Sequence, residues 1–100
     1  MQIPPLILVH QVAPQPVVAD VAAEVRKQWL GSRVPGRLRR GARVAVGVGS
    51  RGIANLATMV RATLDTLRNL GANPFVVAAM GSHGGATAEG QRQLLAEYGV

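Results

Sequence analysis

The sequence contains no cysteine, which excludes a disulfide framework, a thiolate zinc site and a cysteine nucleophile. The absence is compatible with a reducing cytoplasm. Aromatic side chains are scarce: Trp29, Phe75 and Tyr98 are the only ones. A core must therefore be built from Val, Leu, Ile, Ala and Met, and a hydrophobic content of 48% is enough to argue against disorder. Acidic residues are few, 5 against 11 Lys and Arg for a net charge of +6, and Lys27 is the only lysine. That excess raises the question of an anionic partner. No apolar run approaches the ~20 residues that span a bilayer, and Met1-Gln2-Ile3-Pro4-Pro5 lacks the basic start of a signal peptide. These features predict a soluble, cytoplasmic, non-exported protein with no membrane partner. A length of 100 residues fits one α/β domain over 1–100, or the N-terminal fragment of a longer chain.

Leu6-Ile7-Leu8-Val9 is a short apolar run between prolines and reads as a buried strand, with His10 at its end as a structural histidine. From Val17 to Leu30 apolar residues recur every three or four positions, which predicts an amphipathic helix stopping at Gly31. Residues 31–42 carry Pro35, Gly36 and four arginines and read as a basic, solvated connector. A strand is predicted over 43–48. A helix follows over 56–70, with Leu56, Met59, Val60, Thr63, Leu64 and Leu67 on one stripe. A second strand is predicted over 75–80, and a last helix from its N-cap Thr87 to about Tyr98. Continuous apolar runs separated by a helix point to parallel strands covered on both faces, hence an α/β fold of Rossmann-like type.

Parallel strands deliver their C-terminal loops to one edge, where open α/β folds bind ligands. Two glycine-rich segments fall there: Gly49-Ser50-Arg51-Gly52 after the first strand and Gly81-Ser82-His83-Gly84-Gly85 after the second. Neighbouring strands lie ~4.8 Å apart, so the loops could bring Arg51 and His83 to one site. Gly47 to Gly52 also matches the dinucleotide fingerprint G-x-G-x-x-G. The acidic residue expected about 20 positions on, at the end of the next strand, is missing, since that strand ends in Met80-Gly81-Ser82-His83. Arg51 between glycines, ahead of a helix, still suits a phosphate or carboxylate, although the glycines could serve only a tight turn. An imidazole among glycines has no core to fill and titrates near neutrality, which makes His83 a candidate acid or base.

The stretch from Val44 to Asn55, with Gly71-Ala72-Asn73-Pro74-Phe75 and Met80-Gly81-Ser82-His83-Gly84-Gly85-Ala86-Thr87-Ala88-Glu89-Gly90-Gln91, resembles the N-terminal domain of the nickel-dependent lactate racemase superfamily. The likeness covers roughly residues 42–100, is greatest to uncharacterised homologues in that superfamily, and is most specific in the glycine-histidine segment. The resemblance implies a 2-hydroxy-acid racemase or epimerase, an isomerase using a nickel pincer nucleotide. In that family a histidine takes the substrate hydroxyl proton while the α-hydrogen moves as a hydride. His83 stands where the family has one of its two acid/base histidines, and Arg51 matches the arginine of the family's Asp-x-Thr-Arg loop, with Gly49 and Ser50 beside it as cofactor-binding positions. The sequence departs from the pattern at Val48 in place of the Asp, Ser50 in place of the Thr, and Gly84 in place of an Arg. The family's tethering lysine, nickel-binding histidine and second catalytic histidine lie later in much longer chains. After His83 this sequence has neither lysine nor histidine, so no residue is assigned to the metal, and the resemblance implies a further C-terminal domain or a second copy as partner.

Two other classes stay open. Arg33, Arg37, Arg39, Arg40 and Arg43 suggest a basic nucleic-acid-binding module. Aromatic stacking residues and a helix-turn-helix, the usual companions of such a patch, are missing from that segment. A non-catalytic domain that pairs through a sheet edge is the other alternative.

Overall fold

The computed structural model describes residues 1–49, 52–81 and 83–100, with His83 described in its backbone only. Helix α1 spans Val21–Leu30. It starts four residues later than the apolar periodicity predicts, because the Asp20 carboxylate accepts the Ala23 amide at 3.0 Å and so fixes the first turn. Residues 31–42 form turns in which Val34, Pro35 and Leu38 are half-buried while Arg33, Arg37, Arg39 and Arg40 face solvent. Helix α2 spans Leu56–Asn69. Its end is closed by Gly71 at φ +89, a left-handed position that favours glycine, together with the Ala72 amide bonded to the Leu67 carbonyl at 3.0 Å. Helix α3 spans Ala88–Glu97, with the Thr87 hydroxyl accepting the Gly90 amide at 3.0 Å.

Strands β1 (Arg43–Val48) and β2 (Asn73–Ala78) pair in parallel, in register from Arg43 with Asn73 to Val48 with Ala78. This is an α/β arrangement, with α2 as the crossover between the strands. The pairing extends past both strand ends: the Asn73 amide donates to the Ala42 carbonyl at 2.7 Å and the Ala79 amide to the Val48 carbonyl at 2.9 Å. Strand β2 begins two residues earlier than the apolar run predicts. Asn73 and Ala79 both direct their amides at β1, so the residues between alternate, and Pro74 falls where its missing N–H faces away from the ladder.

Val48, Val60, Met80 and Leu95 are buried together, with Val46, Leu56, Leu64, Val76, Leu94 and Val100 against them. The core thus lies between one face of the sheet and helices α2 and α3. Helix α1 packs on α2, where the Trp29 indole donates to the Thr63 hydroxyl at 3.1 Å.

Two expectations are corrected. The strands are covered on one face only: exposure alternates along both, leaving Arg43, Ala45, Gly47, Phe75 and Val77 on an open face. The reason is that the helices touching the sheet, α2 and α3, both contribute to the same core. The run Leu6–Val9 is not a buried strand, and His10 is not a structural histidine, since residues 1–18 are exposed and carry no regular structure. A strand needs a ladder partner, and residues 6–9 pair with neither β1 nor β2.

Candidate functional site

The register places the ends of β1 and β2 side by side, so the loops that follow start from one edge. A Cβ placed on Gly49 would sit 4.0 Å from the Ala79 carbonyl, so the two strand ends stay adjacent one residue past the ladder, and 3.7 Å from Ile53 Cδ1 within the same loop. Those are ordinary contact distances. Packing among the described residues does not itself demand glycine at position 49. Gly52 differs, having φ +74 in open space, and Asn55 follows at φ +58 just before α2. The Asn55 side chain makes no capping bond and the first turn of α2 contains no acid, so the positive end of this helix carries no carboxylate of its own.

The second loop is held by contacts from α3. Met80 is buried and anchors its start. The Gln91 amide donates to the Gly81 carbonyl at 2.7 Å, reaching back from the helix to the loop. His83 opens a short turn, His83–Ala86, in which Gly84 and Gly85 take φ +64 and +69. The Thr87 hydroxyl donates to the Gly84 carbonyl at 3.3 Å while capping α3. A Cβ on Gly84 would come within 2.6 Å of the Gln91 nitrogen, and a Cβ on Gly90 would collide with the Gly84 carbonyl, so the turn and helix approach as only glycines allow. His83 is therefore bracketed by two fixed points, Gly81 and Gly84.

Of the residues singled out from sequence, Gly49 lies half-buried at the end of β1. Ser50 and Arg51 lie outside the described residues, as does the side chain of His83, and the juxtaposition of Arg51 with His83 falls there too. Gln91 is the residue that sequence reading missed. Its bond to Gly81 spans ten positions and has no periodic signature. The aromatic companion of the basic segment was also hidden, because Phe75 is distant in sequence yet lies under Arg43, whose guanidinium carbon is 5.0 Å from the ring centroid. The chain's own arginine thus covers one face of that ring. Among the described residues no group of three or more His, Cys, Asp and Glu is placed to hold a metal ion, and no helix is long and apolar enough to cross a membrane.

The chain matches no family model, no curated protein and no solved structure in comparison with known proteins.

Proposed function

We propose that the chain is the Rossmann-like N-terminal part of a lactate-racemase-like 2-hydroxy-acid racemase or epimerase. One observation carries this reading: two glycine-rich segments each follow one of two adjacent parallel strands and each precede a helix, so both start from the same edge of the sheet. Open α/β folds bind ligands at that edge.

The described residues suit the phosphate portion of a nickel pincer nucleotide and not its metal. The phosphate portion of a nucleotide suits the start of α2, where Asn55 makes no side-chain capping bond and the first turn holds no acid. The metal is not provided for, since the described residues offer no ligand cluster and Lys27 is exposed on the last turn of α1. In this reading Gly49, Ser50 and Arg51 hold the nucleotide phosphate, and a further domain or a second copy supplies the tethering lysine and the metal ligand. When bound, such a cofactor supplies a hydride acceptor. The role left to this chain is acid/base work: His83 takes the hydroxyl proton of the 2-hydroxy acid and returns it, and the ties at Gly81 and Gly84 limit how far its backbone can move.

The test is enantiomer exchange across a panel of 2-hydroxy acids, using the complete reading frame with its cofactor. His83→Ala is expected to abolish exchange while leaving circular dichroism and thermal unfolding unchanged. Equal rates for wild type and His83→Ala would remove the histidine from catalysis, and the absence of exchange in the wild type would remove the reading.

A further inference from the structure

Leu6-Ile7-Leu8-Val9 and the outer edge of β2 are both unsatisfied, and each has what the other lacks. Leu6 and Leu8 are 100% and 102% exposed and Ile7 82%, although the run carries no charge. On the other side, the amides of Asn73 and Ala79 point at β1, so those of Val76 and Ala78 point the opposite way, to an edge with no ladder partner among the described residues. Beside that edge runs a groove of about 520 Å³ between β2 and α3, lined by Val76, Val77, Ala78, Ala88 and Leu95, with Arg92 its one charged lining residue. Grooves between a sheet edge and a helix accept an extended peptide as an added strand, by main-chain hydrogen bonds along the edge and alternate side chains in the groove.

We infer that residues 6–9 of one copy add to the free edge of β2 in a second copy, reciprocally, to form a closed strand-exchanged dimer. The occupant is a second copy because residues 6–9, 72% to 102% exposed, are uncovered in their own chain, while the edge and groove that suit them have no occupant among the described residues. An added strand presents alternate residues to opposite faces. Leu6 and Leu8, or Ile7 and Val9, enter the groove, while the other pair extends the open face beside Phe75 and Val77, which are each 39% exposed. Each copy donates one segment and receives one, so the two-fold arrangement closes on itself and does not propagate. The inference is independent of the racemase reading.

The test is the mass of the 100-residue chain by light scattering and sedimentation, from low micromolar to submillimolar concentration. A monomer–dimer equilibrium is expected. Leu8→Asp charges the donated segment without touching the folded body. Ala78→Pro deletes an outward N–H of the receiving edge and spares the β1–β2 ladder. Each is expected to raise the dimer dissociation constant by about a hundredfold or more, with the helical circular dichroism unchanged. Mixing the two variants restores one intact segment and one intact edge, so a heterodimer is expected where neither variant dimerises alone. A wild type that stays monomeric throughout, or dimers that survive both substitutions, would overturn the inference. If Ala78→Pro alone disturbs the fold, Leu8→Asp decides.

Discussion

Trp29 Nε1 donates a 3.1 Å hydrogen bond to the hydroxyl of Thr63, joining α1 to α2 across the seam between them. Thr63 is only 9% exposed, so its oxygen has little access to water if the indole is removed. Trp29→Phe is expected to cost about 1–2 kcal/mol, the usual consequence of stranding a buried polar group. Adding Thr63→Val should recover part of that loss, because both partners are then apolar. Urea unfolding followed by far-ultraviolet circular dichroism measures all three proteins, since Trp29 is the only tryptophan. Additive losses in the double variant would show that the bond contributes nothing.

The glycines of the second loop are expected to separate into two groups. Gly84 and Gly90 approach each other too closely for any side chain, so Gly84→Ala and Gly90→Ala should each destabilise by about 2 kcal/mol or more. Gly85 has open space around it and only its φ of +69 to resist substitution, so Gly85→Ala should cost about 1 kcal/mol. Chemical denaturation of the three variants gives the ranking, and equal losses would contradict the close approach of turn and helix.

Gln91 ties the loop to α3 through a donor, so Gln91→Glu keeps the length of the side chain and loses the bond to Gly81. Global stability should fall by about 1 kcal/mol. Amide exchange around Gly81 should accelerate well beyond what that loss accounts for, because the tie is local. Hydrogen-exchange mass spectrometry reads both, and unchanged exchange at the loop would mean that Gln91 does not restrain it.

The exposed arginines of 33–40 should give weak attraction to duplex DNA that disappears as salt is raised and shows no sequence preference. Fluorescence anisotropy with two unrelated duplexes at low and physiological salt makes the comparison. Tight, sequence-selective binding at physiological salt would favour the nucleic-acid reading of the basic segment.

Strand β1 is legible from sequence to the residue, because the run Val44-Ala45-Val46-Gly47-Val48 follows Arg43 and ends at Gly49. Helix α2 is legible for the same kind of reason: of the four residues it buries, Val60, Thr63 and Leu67 lie on its predicted stripe, and only Thr66 does not. Strand β2 shifts because Pro74 reads as a breaker in sequence, whereas the parallel ladder leaves one row of positions where no N–H is wanted. The Leu6–Val9 run misleads by its composition. Hydrophobicity can say that a segment seeks cover, but not whether the same chain supplies it. At the candidate site, the start of both glycine loops from one edge is legible from strand order alone. The restraint by Gln91 is not, since a polar side chain on a helix gives no sign of a carbonyl ten positions earlier.

The constant offset of the ladder, from Arg43 with Asn73 to Val48 with Ala78, sets where the chain can change length. A residue inserted within α2 would rotate everything after it, and if β2 slipped by one position Phe75 would turn into the core and Val76 out of it. An insertion at 49–55 could spare the register only by bulging out of the loop between β1 and α2. The turns at 32–37, half-buried only at Val34 and Pro35, lie upstream of the point where the Gly41 amide meets the Gly71 carbonyl and can change length without touching the ladder. Insertions and deletions compatible with folding should therefore concentrate in that segment, and the stretch from β1 to β2 should behave as a unit of fixed length.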